Sequence, residues 1–185
     1  LDPIVSVTEY DENGNVTASF QADPAGTPAD WDGNTGGGGY EKTSDATYDR
    51  LNRLILQNTY VDLNGSPETL ESTYKYDKNG NLLRQRGPAY DVGGTDYYSY
   101  NFTVYDEANR VVRVYNMLAN TGSNYSPSPP SAAFIEYFYD LAGNTIDVRD
   151  QLYTSGSYHH TEFTYDWLSR QIETTANYNV SGTPT

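Results

Sequence analysis

The chain has 185 residues and a formal net charge of −14, enough chain for one domain with a buried core and acidic enough to repel phosphate backbones, which excludes nucleic acid as a partner. It contains no cysteine, which excludes disulfides, thiolate metal sites and thiol nucleophiles, and no stretch approaches the 18 or more apolar residues of a membrane span. Tyrosine is the compositional anomaly, at 19 residues against 5 Phe and 2 Trp, and with abundant Thr, Asn, Gly and Ser it points to strands and tight turns.

In chain order, the first element is "YDENGNVT" from Tyr10. A long loop, "ADPAGTPADWDGNTGGGG" over residues 22–39, follows. Its Trp31 is a candidate surface contact. Its run Gly36–Gly39 lacks the Gly-Lys-Ser/Thr ending of a phosphate cradle and reads as a flexible loop. Next come "YDRLNRLI" from Tyr48, "YDKNGNLL" from Tyr76 and "YDEANRVV" from Tyr105. A second long loop, "NTGSNYSPSPPSAA", spans residues 120–133 before "YDLAGNTI" from Tyr139 and "YDWLSRQI" from Tyr165. Between the last two lies His159-His160, whose side chains point to opposite faces of a strand and cannot chelate one ion together. Trp167, inside the sixth repeat, is expected in the core. No segment holds a 3.6-residue apolar period over a dozen residues, so helices are not expected.

The six units share one logic. With Tyr as position zero, position one is Asp in all six: Asp11, Asp49, Asp77, Asp106, Asp140 and Asp166. Position four is Gly14, Asn52, Gly80, Asn109, Gly143 and Ser169. Gly and Asn tolerate the positive φ of tight hairpins, so a two-residue turn is expected at positions three and four. That turn would set the Tyr opposite position seven, which is aliphatic in five of six units (Ile55, Leu83, Val112, Ile146, Ile172) and Thr17 in the first. The Asp carboxylate would accept a backbone N–H two residues on, as an Asx-turn. The "DENGN" and "DKNGN" stretches look like short calcium loops but lack the further carboxylates such loops need.

Position five alternates strictly: Asn15, Arg53, Asn81, Arg110, Asn144, Arg170. The true repeat is therefore a pair of hairpins, one with Gly-Asn and one with Arg. Like units recur at 66 and 63 residues, and at 57 and 60. The Arg could reach a carboxylate or stack on a neighbouring Tyr. From Tyr165 to the last residue and on from Leu1 to Tyr10 is 30 residues, an ordinary interval for this chain. Residues 1–185 are thus expected to form a single array of six hairpins in three double repeats of about 60 residues.

The Tyr-Asp pair, two variable residues, Gly or a substitute, then Arg or Asn and an aliphatic residue resemble the YD repeat. That repeat occurs in bacterial Rhs and wall-associated proteins and in animal teneurins. The resemblance covers all six units and implies an all-β fold of repeated antiparallel hairpins in a ribbon, tube or solenoid. It carries over no catalytic residue. It implies a structural role, and in Rhs proteins the shell encloses a toxic C-terminal domain.

The chain is accordingly expected to be a non-enzymatic module, extracellular or at the cell surface, without cofactor or metal. It would be the repeating unit of a β-rich filament or of a very long surface protein, associating with itself end to end or continuing within a longer repeat. The alternatives are a fragment of an Rhs-like shell around a toxin, and an adhesin or glycan-binding module. Asn15, Asn64, Asn101, Asn124 and Asn179 each begin an N-x-S/T triplet and are candidate glycosylation sites.

Overall fold

A computed structural model describes residues 6–22, 40–62, 67–120, 134–151 and 157–181. Trp31, Gly36–Gly39, Asn64 and Asn124 lie outside the described residues, as does the side chain of Asn179. Within them the protein is all-β. The strands are β1 (Ser6–Tyr10), β2 (Val16–Ala22), β3 (Tyr40–Tyr48), β4 (Leu54–Asp62), β5 (Pro67–Tyr76) and β6 (Leu82–Asp91). They continue as β7 (Asp96–Tyr105), β8 (Val111–Ala119), β9 (Phe134–Tyr139), β10 (Thr145–Gln151), β11 (Ser157–Tyr165) and β12 (Gln171–Ser181). Hydrogen bonding follows chain order from β1 to β12 without a crossover, which is the arrangement that successive hairpins produce. Each YD unit supplies the turn between an odd strand and the next even one.

The turn differs from the expected two-residue form. The position-four N–H donates to the Asp carbonyl, as from Gly14 to Asp11 at 3.1 Å, and the Asp N–H donates to the position-five carbonyl, as from Asp11 to Asn15 at 2.9 Å. Of the turn residues only position four has positive φ, at 84° in Gly14, 60° in Asn52 and 57° in Ser169. This is the three-residue hairpin, in which a left-handed residue completes the turn and adds a bulge. The bulge moves the pairing. The Tyr lies opposite position six, as Tyr10 opposite Val16 and Tyr139 opposite Thr145. Position minus one then pairs with position eight, as Glu9 with Ala18, so position seven is the extra residue of a second bulge, beyond which the strands return to the register of a two-residue turn. The expected Tyr–position-seven contact is therefore corrected: the third loop residue shifts the partner of the Tyr by one.

The strands fall into two compact units, Leu1–Lys75 with Arg86–Asp96, and Tyr76–Gln85 with Tyr97–Thr185. The second holds an apolar core of Tyr100, Phe102, Tyr115 and Phe134, flanked by Tyr98, Met117 and Ala119. Tyr100 and Phe102 stack at 5.6 Å between centroids, and Tyr115 meets Phe134 edge-on at 5.9 Å. Such pairs add about 0.5–1.5 kcal/mol each beyond burial. In the first unit the described buried residues are Ala18 and Arg86, and a polar cluster organises the sheet. Asp45 accepts hydrogen bonds from Tyr60 Oη at 2.5 Å and Asn58 Nδ2 at 2.8 Å, and pairs with Lys42 at 3.3 Å. Burial pushes the Asp45 carboxyl upward, but these donors outweigh it and hold it below its ordinary value. Trp167 is a second correction: it is 88% exposed rather than in the core. It occupies position two, on the outside of the turn, where no neighbouring strand can cover it.

Candidate functional site

The repeat places its most regular chemistry at the turns. In five turns Asp Oδ1 accepts two backbone N–H groups, from positions three and five: Asn13 and Asn15 to Asp11, Leu51 and Arg53 to Asp49, Asn79 and Asn81 to Asp77, Ala108 and Arg110 to Asp106, and Leu168 and Arg170 to Asp166, at 2.8–3.1 Å. In the remaining turn Asn144 N–H donates to Asp140 at 2.8 Å. The expected Asx-turn is thus present, with a second donor. Oδ2 accepts the side chain at position five. That donor is Asn Nδ2 in Asn15, Asn81 and Asn144, at 2.8–2.9 Å, and Arg Nε in Arg53, Arg110 and Arg170, at 2.7 Å.

These donors hold all six carboxyls below their ordinary value. The side chains of Asn15, Arg53 and Asn144 are the main cause at Asp11, Asp49 and Asp140. Backbone N–H groups of Arg110 and Arg170 lead at Asp106 and Asp166. At Asp77 burial pushes upward, but the donors of Asn81, Asn79 and Gly80 outweigh it.

The turns are also linked to one another, and here the alternation finds its cause. After a Gly-Asn hairpin, Asn at position five donates to the side chain at position four of the next hairpin. The pairs are Asn15 to Asn52 at 3.2 Å, Asn81 to Asn109 at 2.8 Å and Asn144 to Ser169 Oγ at 3.2 Å. An acceptor side chain is needed at position four there, so Asn or Ser takes the left-handed conformation despite its cost. After an Arg hairpin the link differs. The Arg110 guanidinium lies 4.5 Å from the Tyr139 ring centroid, and its Nη1 is 3.5 Å from the Asp140 carbonyl oxygen. A Cβ on Gly143 would sit 3.9 Å from that Nη1, an ordinary contact distance, so what favours glycine there is its φ of 91°. The repeated Tyr closes both kinds of joint, because its hydroxyl donates to the position-six carbonyl of the preceding hairpin. Tyr48 reaches Val16, Tyr105 reaches Leu82, Tyr139 reaches Val111 and Tyr165 reaches Thr145, at 2.7–3.3 Å.

Strand register is the same at four joints. Position eight faces position minus three of the next hairpin: Ala18 and Asp45, Leu56 and Thr73, Arg113 and Glu136, Asp147 and Glu162. Sequence reading missed the ionic row this creates in the second unit. Glu136 is buried and ion-paired with Arg113. Arg113 also lies 4.7 Å from the Phe134 centroid, beside a cleft of 230 Å³ that Tyr115 and Phe138 help to line. Asp147 binds Arg149 at 2.9 Å. His160 Nε2 is also 2.9 Å from Asp147, without hydrogen-bond alignment. The signal was in the sequence, but only as residues at positions eight and minus three, and their pairing requires the register.

Of the candidate glycosylation sites, Asn15 has its amide nitrogen bound to Asp11 and Asn52, whereas Asn101 is exposed on β7. No protein-family model matches the chain, and no curated protein matches it. Among solved structures, the chain is similar to part of the Tc holotoxin pore of Photorhabdus luminescens, with 10% identity and a TM-score of 0.24. The match covers 88% of this chain and 11% of that one.

Proposed function

We propose that this chain is a non-enzymatic structural module of the YD-repeat type, working outside the cell or at its surface as the repeating unit of a β-rich filament or very long surface protein. One observation carries the reading. At each of the four joints described, a hairpin offers its successor the register that its predecessor offered it. A protein built by such addition has nearest-neighbour stability and extends without a new kind of contact. The net charge of −14 would keep a long assembly hydrated and soluble.

Cryo-electron microscopy of the native material, without ligand, tests the reading. Side-by-side hairpins advance about 10 Å each, so six in a straight run cover about 60 Å. Long filaments with an axial repeat that accommodates three double repeats are expected. Closed, capped particles with density inside would overturn it and favour a shell around a toxin. Discrete monomers that bind glycans would favour the adhesin.

A further inference from the structure

The geometry points to a specific joint between two copies of this chain: the last hairpin of one copy receives the first hairpin of the next, with Arg170 over Tyr10 and Glu173 opposite Val7. The inference rests on the structural reading above and gives it a partner, a polarity and a register.

The two outer hairpins are complementary halves of a joint already present inside the molecule. The sixth hairpin is of the Arg kind, and an Arg hairpin is followed by a Gly-Asn hairpin at both internal occurrences. The first hairpin is of the Gly-Asn kind. In the internal joint Arg110 covers Tyr139, and Tyr139 Oη donates to the Val111 carbonyl at 2.7 Å. Arg170 is bound to Asp166 within its own turn, yet its side chain is 72% exposed, against 36% for Arg110. Tyr10 is 62% exposed. The backbone agrees. Among the described residues, strands β1 and β12 each have a single hydrogen-bonded neighbour, and such edges are templates for pairing. An odd strand laid beside an even one is antiparallel, as throughout the sheet.

The register then follows without adjustment. Both internal joints of this kind place position eight opposite position minus three, as Leu56 with Thr73 and Arg113 with Glu136. Applied to the sixth and first hairpins, the rule sets Glu173 opposite Val7 of the second copy, Thr174 opposite Ser6, and the Gln171 carbonyl within reach of Tyr10 Oη. The contact is heterologous, with different surfaces on its two sides, so it propagates instead of closing as a two-fold dimer.

The chain has no cysteine, so paired cysteines report the register cleanly. Directly opposed residues in antiparallel strands have Cα atoms about 4.5–5.5 Å apart, within disulfide reach. Val7→Cys with Glu173→Cys in one chain should give a reducible ladder of cross-linked multimers under mild oxidation. A mixture of the two single variants should give only the mixed dimer. Thr8→Cys with Glu173→Cys should not cross-link, because adjacent strand residues face opposite ways. In the cysteine-free chain, Tyr10→Phe and Arg170→Ala should each weaken association about three- to ten-fold in sedimentation, from one hydrogen bond or one cation–π contact.

A homodimer formed by either single-cysteine variant as readily as the mixed dimer, equal cross-linking through Thr8→Cys, links confined within one chain, or no link at all would overturn the joint. Filaments seen without this cross-link would overturn the joint and leave the structural reading standing. Closed particles with internal density would remove the reading itself.

Discussion

The two compact units share their turns and differ in what lies on their sheets. Both use the same Asp-centred turn and the same joint register. The second unit buries Tyr100, Phe102, Tyr115 and Phe134 and sets an ionic row around Glu136. The first is organised around Asp45 and its three donors. The difference teaches that the repeat specifies geometry and leaves the stabilising content of the faces free. A turn admits few residues at positions one and four, because a left-handed backbone and several N–H groups must be satisfied at once. A sheet face accepts any set of side chains that fills the space or pairs its charges.

Substitutions that separate the units should have the largest effects. Tyr100→Ala is expected to destabilise the chain by about 3–5 kcal/mol, since it opens a cavity in the aromatic core. Chemical denaturation should place the loss in the second unit, and an equal loss of order in the first would break the comparison. Glu136→Ala strands Arg113 beside apolar rings and should cost about 3 kcal/mol, with Glu136→Ala/Arg113→Met recovering much of it. Asp45→Asn should cost about 1–2 kcal/mol in the first unit, because solvent reaches the cluster and dilutes each bond. A loss matching that of Tyr100→Ala would show that the first unit depends on its polar cluster as strongly as the second depends on its core.

Two smaller effects test what the units share. Tyr48→Phe and Tyr139→Phe remove the same joint hydrogen bond from different units, and each should lose about 0.5–1.5 kcal/mol. Clearly unequal losses would mean that the hydroxyl contact carries different weight in the two kinds of joint. Acid should act least per group, one turn carboxylate at a time. All six folded-state values lie below the ordinary aspartate value. Their contribution is therefore complete above about pH 4–5 and disappears as pH falls through the lowered values. Tm should fall between about pH 4 and pH 2. A rise over that interval, from relief of the −14 charge, would show that self-repulsion outweighs the turns.

Six hairpins, an all-β fold and an alternation of two hairpin kinds were legible in the sequence. The legibility has a local cause: Asp at position one and Gly or Asn at position four satisfy constraints set within a few residues, so the residues themselves report the turn. The bulge was not legible, because two- and three-residue loops use the same Gly and Asn. That single residue moved the Tyr partner from position seven to position six. Trp167 shows the same limit, since membership of a repeat does not say which side of the turn a position faces.

What the sequence determined by itself is the turn and the count of turns, through short-range sterics and hydrogen bonding. What only the tertiary structure decided is the joint. Arg110 over Tyr139, Asn144 to Ser169 and Arg113 with Glu136 connect residues 23 to 29 positions apart. Their meeting depends on the register in which one hairpin lies against the next. That register is fixed cooperatively by the bulge, the Tyr hydroxyl and the whole strand ladder, so no single stretch of sequence announces it.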